Sequence, residues 1–433
     1  MSKLSQLNNK ATPYIIWILR IVIGLTFIIS GLSKMIDVWG FSYKIEQYLN
    51  VWGWDLTRQL IVIAAMSLSA IEFVVGVLLA TGCYKRTSTW LSLAIMFVML
   101  PLSAYIMLAN PVDDCGCFGD FLKISNLSTF FKNIIITSGL LYLWKYNSSA
   151  KGLFNPHIQW LVGCISYVYI IIIGFIGYNV QPLVDFRPYK VGNVLVNNHL
   201  ENTNYRFIYE RDGIKKEFDI EDLPDSTWTF IDRIELKENN KLNNEINNNI
   251  AITTFDGEDV TNEAISTTYN QLILLIPNIA HADISYSFLI NEMDAYIANQ
   301  GGELIGIFSN NDKSRIKEWS DLSLAQWPQF LADDTSIKEI ARGKIAVVYT
   351  KNGIIQWKRT ISSIPSDLFA NSLTNNVLDT LYINGEKQFI NISIIFISTL
   401  FLILICNYLI IAVRHHFSRK NKKKNVTLQN ENK

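Results

Sequence analysis

The long apolar runs of the chain limit its possible folds more than any other feature. Runs rich in aliphatic and aromatic residues occupy residues 14–32, 60–82, 90–108, 131–144, 158–180 and 389–413. About 20 apolar residues in a helix cross a hydrocarbon core of roughly 30 Å. The runs therefore predict six transmembrane helices, of which the fourth is short for a span. An uncleaved first helix is favoured over a signal peptide, because no small-residue cleavage site follows the first run.

Basic residues flank these runs in a consistent pattern. They lie before the first run, in the turn after the second, in the link after the fourth and in the tail after the sixth, at Lys3, Lys10, Lys85, Arg86, Lys145, Lys151 and residues 414–424. Because Lys and Arg beside a span favour the cytoplasmic side, we predict a multi-pass protein of the bacterial inner (cytoplasmic) membrane with both termini in the cytoplasm. The loops at 33–59 and 109–130 and the segment 181–388 then lie outside. The first of these loops carries six aromatic residues between positions 39 and 54, which predicts an amphipathic helix at the membrane surface.

Two cysteines one residue apart lie in the loop after the third run. The loop reads Asp113-Asp114-Cys115-Gly116-Cys117-Phe118-Gly119-Asp120. Its glycines let the backbone turn tightly, so Cys115 and Cys117 can approach disulfide distance or act as paired thiolates. Outside the cytoplasm they would face an oxidising compartment, where disulfides persist. A redox pair, a static disulfide and a purely structural loop all remain open, whereas zinc is disfavoured because the loop offers two sulfurs and no histidine.

Two ionisable residues fall inside predicted spans. Arg20 and Glu72 lie at similar depths, counted from the cytoplasmic ends. A lone charge in a membrane costs on the order of 3 kcal/mol or more, so we predict that they pair. The pair is interpreted first as a lock between two helices and second as part of a polar pocket for a quinone headgroup or a proton path. Lys34, at the outer end of its helix, is interpreted as snorkelling to the interface.

From residue 185 onward the composition is that of a soluble domain. The pattern predicts a hairpin within 205–220, an exposed loop at 235–249, a strand at 272–276, a helix at 287–299, a strand at 304–308, a helix at 312–319 and a hairpin at 345–360. From residue 272 this order matches a thioredoxin-like fold, in which a catalytic pair would follow the first of these strands. Residues 277–283 contain no cysteine, and His281 and Asp283 are interpreted as surface polar residues.

The first four predicted spans resemble the DoxX and MauE-like family of small four-helix membrane proteins. The resemblance rests on the following positions: Arg20 with Gly24 and Phe27, Ser30-Gly31 with Lys34, Glu72 with Gly76 and Gly82, and Cys115-Gly116-Cys117-Phe118-Gly119. The whole chain resembles the longer DoxX-type proteins of Bacteroidota through residues 185–192 and the cysteine-free thioredoxin-like segment.

This resemblance implies redox-related work in the bacterial envelope. MauE-like proteins are associated with maturing a disulfide-rich periplasmic dehydrogenase alongside a thioredoxin-like partner, and DoxX relatives with quinone-coupled oxidation of sulfur compounds. Carried over to this chain, it implies Cys115 and Cys117 as the candidate catalytic redox pair and Arg20 and Glu72 as candidate cofactor-binding polar residues, with quinone as the suggested cofactor. The external domain departs from these relatives because it lacks active-site cysteines.

The resulting prediction is an α-helical membrane bundle, with a four-helix DoxX-like core and six transmembrane helices in total, plus an extracytoplasmic α/β thioredoxin-like domain. Its divisions are residues 1–148 (four-helix domain), 149–183 (fifth span), 184–265 (β-rich segment), 266–388 (degenerate thioredoxin-like domain), 389–413 (last span) and 414–433 (basic tail). The expected activity is support of periplasmic thiol–disulfide exchange or of maturation of exported proteins.

Two alternatives are a non-enzymatic scaffold, whose external domain binds an envelope partner, and a small-solute transporter. The transporter ranks lowest because no broken helices or inverted repeat are evident. The expected partners are the lipid bilayer and an envelope protein or thiol–disulfide partner. The chain has 38 basic and 38 acidic residues, so no basic field argues for nucleic acid.

Overall fold

The computed structural model describes residues 2–110, 115–147, 150–196, 205–211, 214–218, 228–235, 250–309, 312–369 and 377–431. The chain forms two compact units, one of Met1–Phe186, Ser362–Ile364 and Tyr382–Lys433, the other of Arg187–Ile361 and Pro365–Leu381. Asp113 and Asp114, the predicted turn at 212–213 and the predicted loop at 236–249 lie outside the described residues.

The first unit is helical. Its helices are α1 (Ser2–Ile36), α2 (Val38–Val51), α3 (Arg58–Thr81), α4 (Lys85–Ala109), α5 (Asn126–Tyr146), α6 (Gln159–Asn179) and a C-terminal helix (Gly385–Glu431). In the described part of the chain, five helices are long and apolar enough to cross a membrane, namely α1, α3, α4, α6 and the C-terminal helix. Helix α5 has 21 residues but is less apolar, since it includes Lys132, Asn133 and Lys145. The membrane helical core is thus confirmed, and the count of six spans stays a prediction.

Helices α1 and α3 pack at very close range. A Cβ atom added at Gly31 would lie 2.6 Å from Phe73 N, and one at Gly76 would lie 2.7 Å from Ile28 N. Small residues at a helix interface let two backbones approach in this way. The contacts run antiparallel, because the earlier residue of α1 meets the later residue of α3. This crossing fixes which polar residues of the two helices meet.

The other helices surround this pair. Helices α4 and α5 pack against each other, α5 also contacts α1, and α4 also contacts α3, so α1, α3, α4 and α5 form a four-helix core. Helix α6 and the C-terminal helix join through Tyr169, whose ring stacks on Phe396 at 4.2 Å and whose hydroxyl lies 2.9 Å from Ser393 Oγ. The C-terminal helix is longer than the predicted span at 389–413, since its backbone stays helical into the basic tail.

Helix α2 occupies the loop that the aromatic residues predicted to be helical. Asp37 caps its start by accepting a hydrogen bond from Gly40 N at 2.8 Å. Trp39 is buried, stacks on Tyr178 at 5.1 Å and donates from Nε1 to the Tyr178 carbonyl oxygen at 3.0 Å. Helix α2 is therefore held against the end of α6, and it lies over the loop that follows α4.

The described residues of the second unit form two sheets. Strands β1 (Tyr205–Arg211), β2 (Ile214–Phe218) and β3 (Thr229–Glu235) form an antiparallel sheet in the order β2-β1-β3. Strands β4 (Ile252–Thr253), β5 (Gln271–Ile276), β6 (Glu303–Ser309), β7 (Gln329–Ala332), β8 (Ala346–Lys351) and β9 (Ile354–Thr360) form a mixed sheet in the order β4-β7-β6-β5-β8-β9. Strands β5, β6 and β7 run parallel, whereas β4, β8 and β9 are antiparallel to their neighbours.

The helices of this unit are α7 (Thr261–Ala264), α8 (Ser287–Asn299), α9 (Lys313–Ser323), α10 (Asp334–Ile340) and α11 (Val377–Thr380). The predicted elements from residue 272 onward are present as β5, α8, β6, α9 and the β8–β9 hairpin, whereas β4, β7 and α10 were not predicted. Residues 195–196 and 250–265 contribute to the same buried core as β5 and β8, so the predicted division after residue 265 falls inside that core. The mixed sheet is observed, and its thioredoxin-like identity stays a prediction.

Candidate functional site

The cysteine loop makes a tight turn between α4 and α5. Gly116 and Gly119 have positive φ angles of 66° and 55°, a left-handed conformation that glycine adopts without a steric penalty. Gly119 N donates to the Gly116 carbonyl oxygen at 3.1 Å, which closes the turn. These glycines explain why the two cysteines can point towards each other.

The two sulfur atoms of the loop are adjacent. Cys115 Sγ and Cys117 Sγ lie 3.0 Å apart, and both residues are free cysteines. A disulfide has an S–S distance of about 2.05 Å, so bond formation needs an approach of about 1 Å. Cys115 is buried and Cys117 is half-buried. The structure thus brings the predicted pair together.

Neighbouring helices hold the loop through its carbonyl groups. Tyr48 of α2 donates from its hydroxyl to the Cys115 carbonyl oxygen at 3.1 Å, and Ser30 of α1 has its Oγ 2.5 Å from the Cys117 carbonyl oxygen. The side chain of Lys44 lies over Gly116, where an added Cβ would be 3.2 Å from Lys44 Cγ. The thiols are therefore presented from a fixed backbone.

Glu72 pairs with Lys34, and the predicted pairing with Arg20 is wrong. Lys34 Nζ lies 2.6 Å from Glu72 Oε2, and Lys34 is only 1% exposed. The prediction failed because depth alone does not give the register of the crossing: Gly31 meets Phe73, so Glu72 meets the end of α1 that carries Ser30 and Lys34. Sequence reasoning also treated Lys34 as snorkelling and missed this buried ion pair. The spacing of Ser30 and Lys34, one turn apart on the same helix face, is the signal that pointed to it.

Arg20 occupies a separate polar cluster near the other end of the helix pair. Its Nε donates to Asn147 Oδ1 at 2.9 Å, and its Nη2 donates to the Asn147 carbonyl oxygen at 2.9 Å. Asn147 Nδ2 in turn donates to the Lys85 carbonyl oxygen and to Thr89 Oγ1, both at 2.8 Å. Arg20 therefore joins the ends of α4 and α5 to α1. It is about ten residues, or roughly 15 Å along the helix, from Ser30.

A second cation approaches the thiols from α5. Lys132 Nζ lies 4.5 Å above the ring of Phe118, next to Cys117 in sequence. Lys132 also lines a small cavity together with Cys117, Ser30, Lys34 and Glu72. The cavity volume is about 30 Å³, which is enough for one or two water molecules. Lys132 was not among the predicted site residues, because only the folded α5 brings it to the loop.

The environment makes the two thiols unequal. The hydrogen bond from the Cys115 thiol lowers the pKa of Cys117, and Lys132 and Lys34 lower it further, against the opposing effects of burial and Glu72. The same hydrogen bond, together with burial, raises the pKa of Cys115. At neutral pH the arrangement favours a Cys117 thiolate that accepts a hydrogen bond from a Cys115 thiol, and the thiolate is the nucleophilic form of cysteine.

The second unit presents polar residues rather than a thiol site after β5. Asp283 Oδ1 accepts from Ser285 N at 2.9 Å and Asn278 Oδ1 accepts from Ala280 N at 2.9 Å. Both side chains thus cap short turns, and His281 is exposed. Within the described ranges of the whole chain, no group of three or more His, Cys, Asp and Glu residues is arranged to hold a metal ion.

Comparison with known proteins links the helical unit to a membrane family. Residues 203–237 match a domain of unknown function, DUF8463. Protein TlpB of Flavobacterium psychrophilum is 22% identical over 196 residues, which are 44% of this chain and 52% of that protein. The chain therefore spans about half the length of this curated relative, and no solved structure matches. Residues 12–145 match the family of methylamine utilisation protein MauE. This segment is therefore MauE-like, as the resemblance in the sequence predicted.

Proposed function

We propose that this multi-pass membrane protein carries out thiol–disulfide exchange at Cys115 and Cys117. The observation that carries the proposal is the 3.0 Å approach of the two sulfur atoms beside the buried Lys34. Paired thiols with one depressed pKa are the arrangement that exchange chemistry requires. The MauE-like match of residues 12–145 supports the proposal.

In the proposed reaction the Cys117 thiolate attacks one sulfur of a partner protein's disulfide. A bond forms between Cys117 and that sulfur, and the partner's second sulfur leaves as a thiolate. Cys115 then attacks Cys117 in the mixed disulfide, which releases the partner's first sulfur and forms the Cys115–Cys117 disulfide. Two electrons pass from the pair to the partner, whose two sulfurs take up one proton from the Cys115 thiol and one from the surroundings of the site. The reverse sequence oxidises a partner dithiol.

The proposed location is the outer face of the bacterial inner membrane. Lys and Arg flank the apolar runs on the side opposite to the cysteine loop, which supports a loop facing away from the cytoplasm. An exported protein with cysteines is then the partner class, and maturation of such proteins is the proposed role. The segment 181–388 contains no cysteine, so in this proposal the second unit binds or positions a partner and supplies no thiol.

A quinone does not fit the residues suggested for it. Arg20 donates to Asn147 and to the carbonyl oxygens of Ala150 and Lys151 in the link after α5. Glu72 is hydrogen-bonded to Lys34 and Ser30. The two side chains lie at different ends of the α1–α3 crossing and do not converge on one ligand. The proposed reaction therefore contains no step through a quinone, and protein thiols supply and accept the electrons.

The test is labelling of intact cells with a membrane-impermeant thiol reagent, before and after mild reduction. Labelling of Cys115 and Cys117 after reduction, with cycling between both states, is the expected result. Replacing Cys83, Cys164 and Cys406 by serine removes the other thiols. Full biological function with serine at both loop positions would contradict the proposal and favour a scaffold in which the second unit binds an envelope partner.

A further inference from the structure

The hydroxyl group of Ser30 lies between two oxygen atoms. Its Oγ is 2.6 Å from Glu72 Oε1 and 2.5 Å from the Cys117 carbonyl oxygen. A hydroxyl group has one proton, whereas an ionised carboxylate and a carbonyl group only accept hydrogen bonds. With Glu72 ionised, one of these buried contacts would join two acceptors. With Glu72 protonated, Glu72 donates to Ser30 and Ser30 donates to Cys117, so both contacts become hydrogen bonds.

Lys34 sets the charge requirement of the same cluster. Its ammonium group donates to Glu72 Oε2 at 2.6 Å and is almost fully buried, and a buried cation needs a counter-ion. If Glu72 carries a proton, the Cys117 thiolate can take that role, since Lys34, Glu72 and Cys117 line one cavity.

Charged and titratable groups lie in the cysteine loop itself and on four of the helices around it. They are Cys115 and Asp120 in the loop, Lys34 in α1, Lys44 and Tyr48 in α2, Glu72 in α3 and Lys132 in α5. Helix α4 contributes Ile95, Met96 and Met99 to the cavity and no charge. The cavity-facing charges are therefore two lysines, one glutamate and the thiol, and Glu72 is the group among them that can take up the thiol proton.

We infer that Glu72 accepts the proton that Cys117 gives up, so that Lys34 exchanges the Glu72 carboxylate for the Cys117 thiolate as its counter-ion. This inference rests on the proposed function and deepens it. In the oxidised protein Cys115 and Cys117 form a disulfide and Glu72 is ionised beside Lys34. In the reduced protein Cys117 is a thiolate, Cys115 a thiol and Glu72 a carboxylic acid. The net charge of the cluster is the same in both states.

The redox step balances with this assignment. When a partner dithiol reduces the pair, the Cys115–Cys117 bond breaks, the partner's disulfide forms and two electrons reach the pair. The two protons of the partner end on Cys115 and on Glu72. In the reverse direction Glu72 returns its proton to the partner's leaving thiolate. Glu72 is thus a proton-storing residue and Lys34 a positioning residue.

The experiment measures the redox equilibrium of the purified full-length protein against dithiothreitol from about pH 6 to 8, with Cys117 alkylation rates over the same range. An alkylation rate that does not change with pH shows a thiolate, because the thiolate reacts. On reduction the protein takes up two protons, on Cys115 and Glu72, and dithiothreitol releases two when it is oxidised. We therefore expect an equilibrium constant between protein and dithiothreitol that does not change with pH.

Redox-induced infrared difference spectra should show the carbonyl band of a protonated carboxylic acid on reduction. This band should be lost in Glu72→Gln and kept in Ser33→Ala, whose hydroxyl donates to the Ser30 carbonyl oxygen at 3.0 Å.

The outcomes separate this inference from the proposed function. Suppose that the alkylation rate shows a Cys117 thiolate, but the equilibrium constant of the wild-type protein rises about tenfold per pH unit and the carboxylic acid band is absent. The reduced protein would then bind one proton and not two. This result would overturn the inference and leave the exchange activity in place. A Cys117 alkylation rate that rises about tenfold per pH unit would indicate an ordinary thiol and contradict the proposed function as well. The wild-type measurements decide both points even if Glu72→Gln does not fold.

Discussion

Lys34 Nζ lies 2.6 Å from Glu72 Oε2 in the buried interior of the helical unit. Lys34 lies in the last turn of α1 and Glu72 lies within α3, so the register of the antiparallel crossing creates the contact. Removing one partner of a buried ion pair costs about 3–5 kcal/mol, because the other charge is left uncompensated. Loss of one partner should therefore destabilise the bundle, and the contact places a cation at the cavity that Cys117 lines.

Replacing Cys115 should change the reactivity of Cys117. In Cys115→Ser a mixed disulfide between Cys117 and a partner should accumulate, since the resolving sulfur is gone. In Cys115→Ala the thiol that donates to Cys117 is lost, so the pKa of Cys117 should rise. Alkylation of Cys117 below that pKa should then slow by about tenfold for each unit of rise. Mass spectrometry of alkylated protein across a pH series measures this. An unchanged profile would contradict the assigned hydrogen bond.

Replacing Lys132 should also raise the pKa of Cys117. Lys132→Gln removes a cation that favours the thiolate, so the thiolate fraction should fall at about pH 6.5 and stay unchanged well above the thiol pKa. Lys145→Gln is the matched control, because Lys145 lies on the same helix near its C-terminal end. Equal alkylation profiles of both variants would show that Lys132 does not act on the thiol.

The α1–α3 crossing should not tolerate an added methyl group. In Gly31→Ala the new Cβ would lie 2.6 Å from Phe73 N, so the helices must separate. Overpacking costs about 1–3 kcal/mol, and the separation should also weaken the Lys34–Glu72 contact. Thermal unfolding in detergent should show a lower Tm, together with slower Cys117 alkylation at neutral pH. Gly163→Ala is the control, because its nearest contact would be Leu78 Cδ2 at 3.9 Å. A Tm equal to that of this control would argue against the close crossing.

Asn147 should be important for stability and unimportant for the thiols. Asn147→Leu removes the side-chain oxygen that accepts from the Arg20 guanidinium, and hydrogen bonds to charged groups contribute about 1.5–3 kcal/mol. A lower Tm with an unchanged alkylation profile of Cys117 is the expected result. Altered thiol reactivity in this variant would mean that Arg20 and Glu72 act together after all.

Apolar length and the spacing of a few residues predicted the general architecture. Long aliphatic runs are poorly solvated by water and favour the hydrocarbon core of a membrane, so the membrane helices followed from composition alone. Strands β5, β6, β8 and β9 and helices α8 and α9 followed from local periodicity, whereas β7 and α10 were not predicted. The adjacency of Cys115 and Cys117 was equally local, because one intervening glycine lets neighbouring thiols meet.

The partners of the buried charges could be assigned only from the tertiary structure. Arg20, Lys34 and Glu72 are all visible in the sequence, and pairing by depth joined the wrong two. The partner of Glu72 depends on the register in which α1 crosses α3. The partners of Arg20 are hydrogen-bond acceptors at the end of α5 and in the link after it. Lys132 reaches the thiols only because α5 packs against the core. The sequence by itself determined which groups enter the membrane unit, whereas helix packing, a long-range property, decided that a lysine and a glutamate adjoin the cysteine pair.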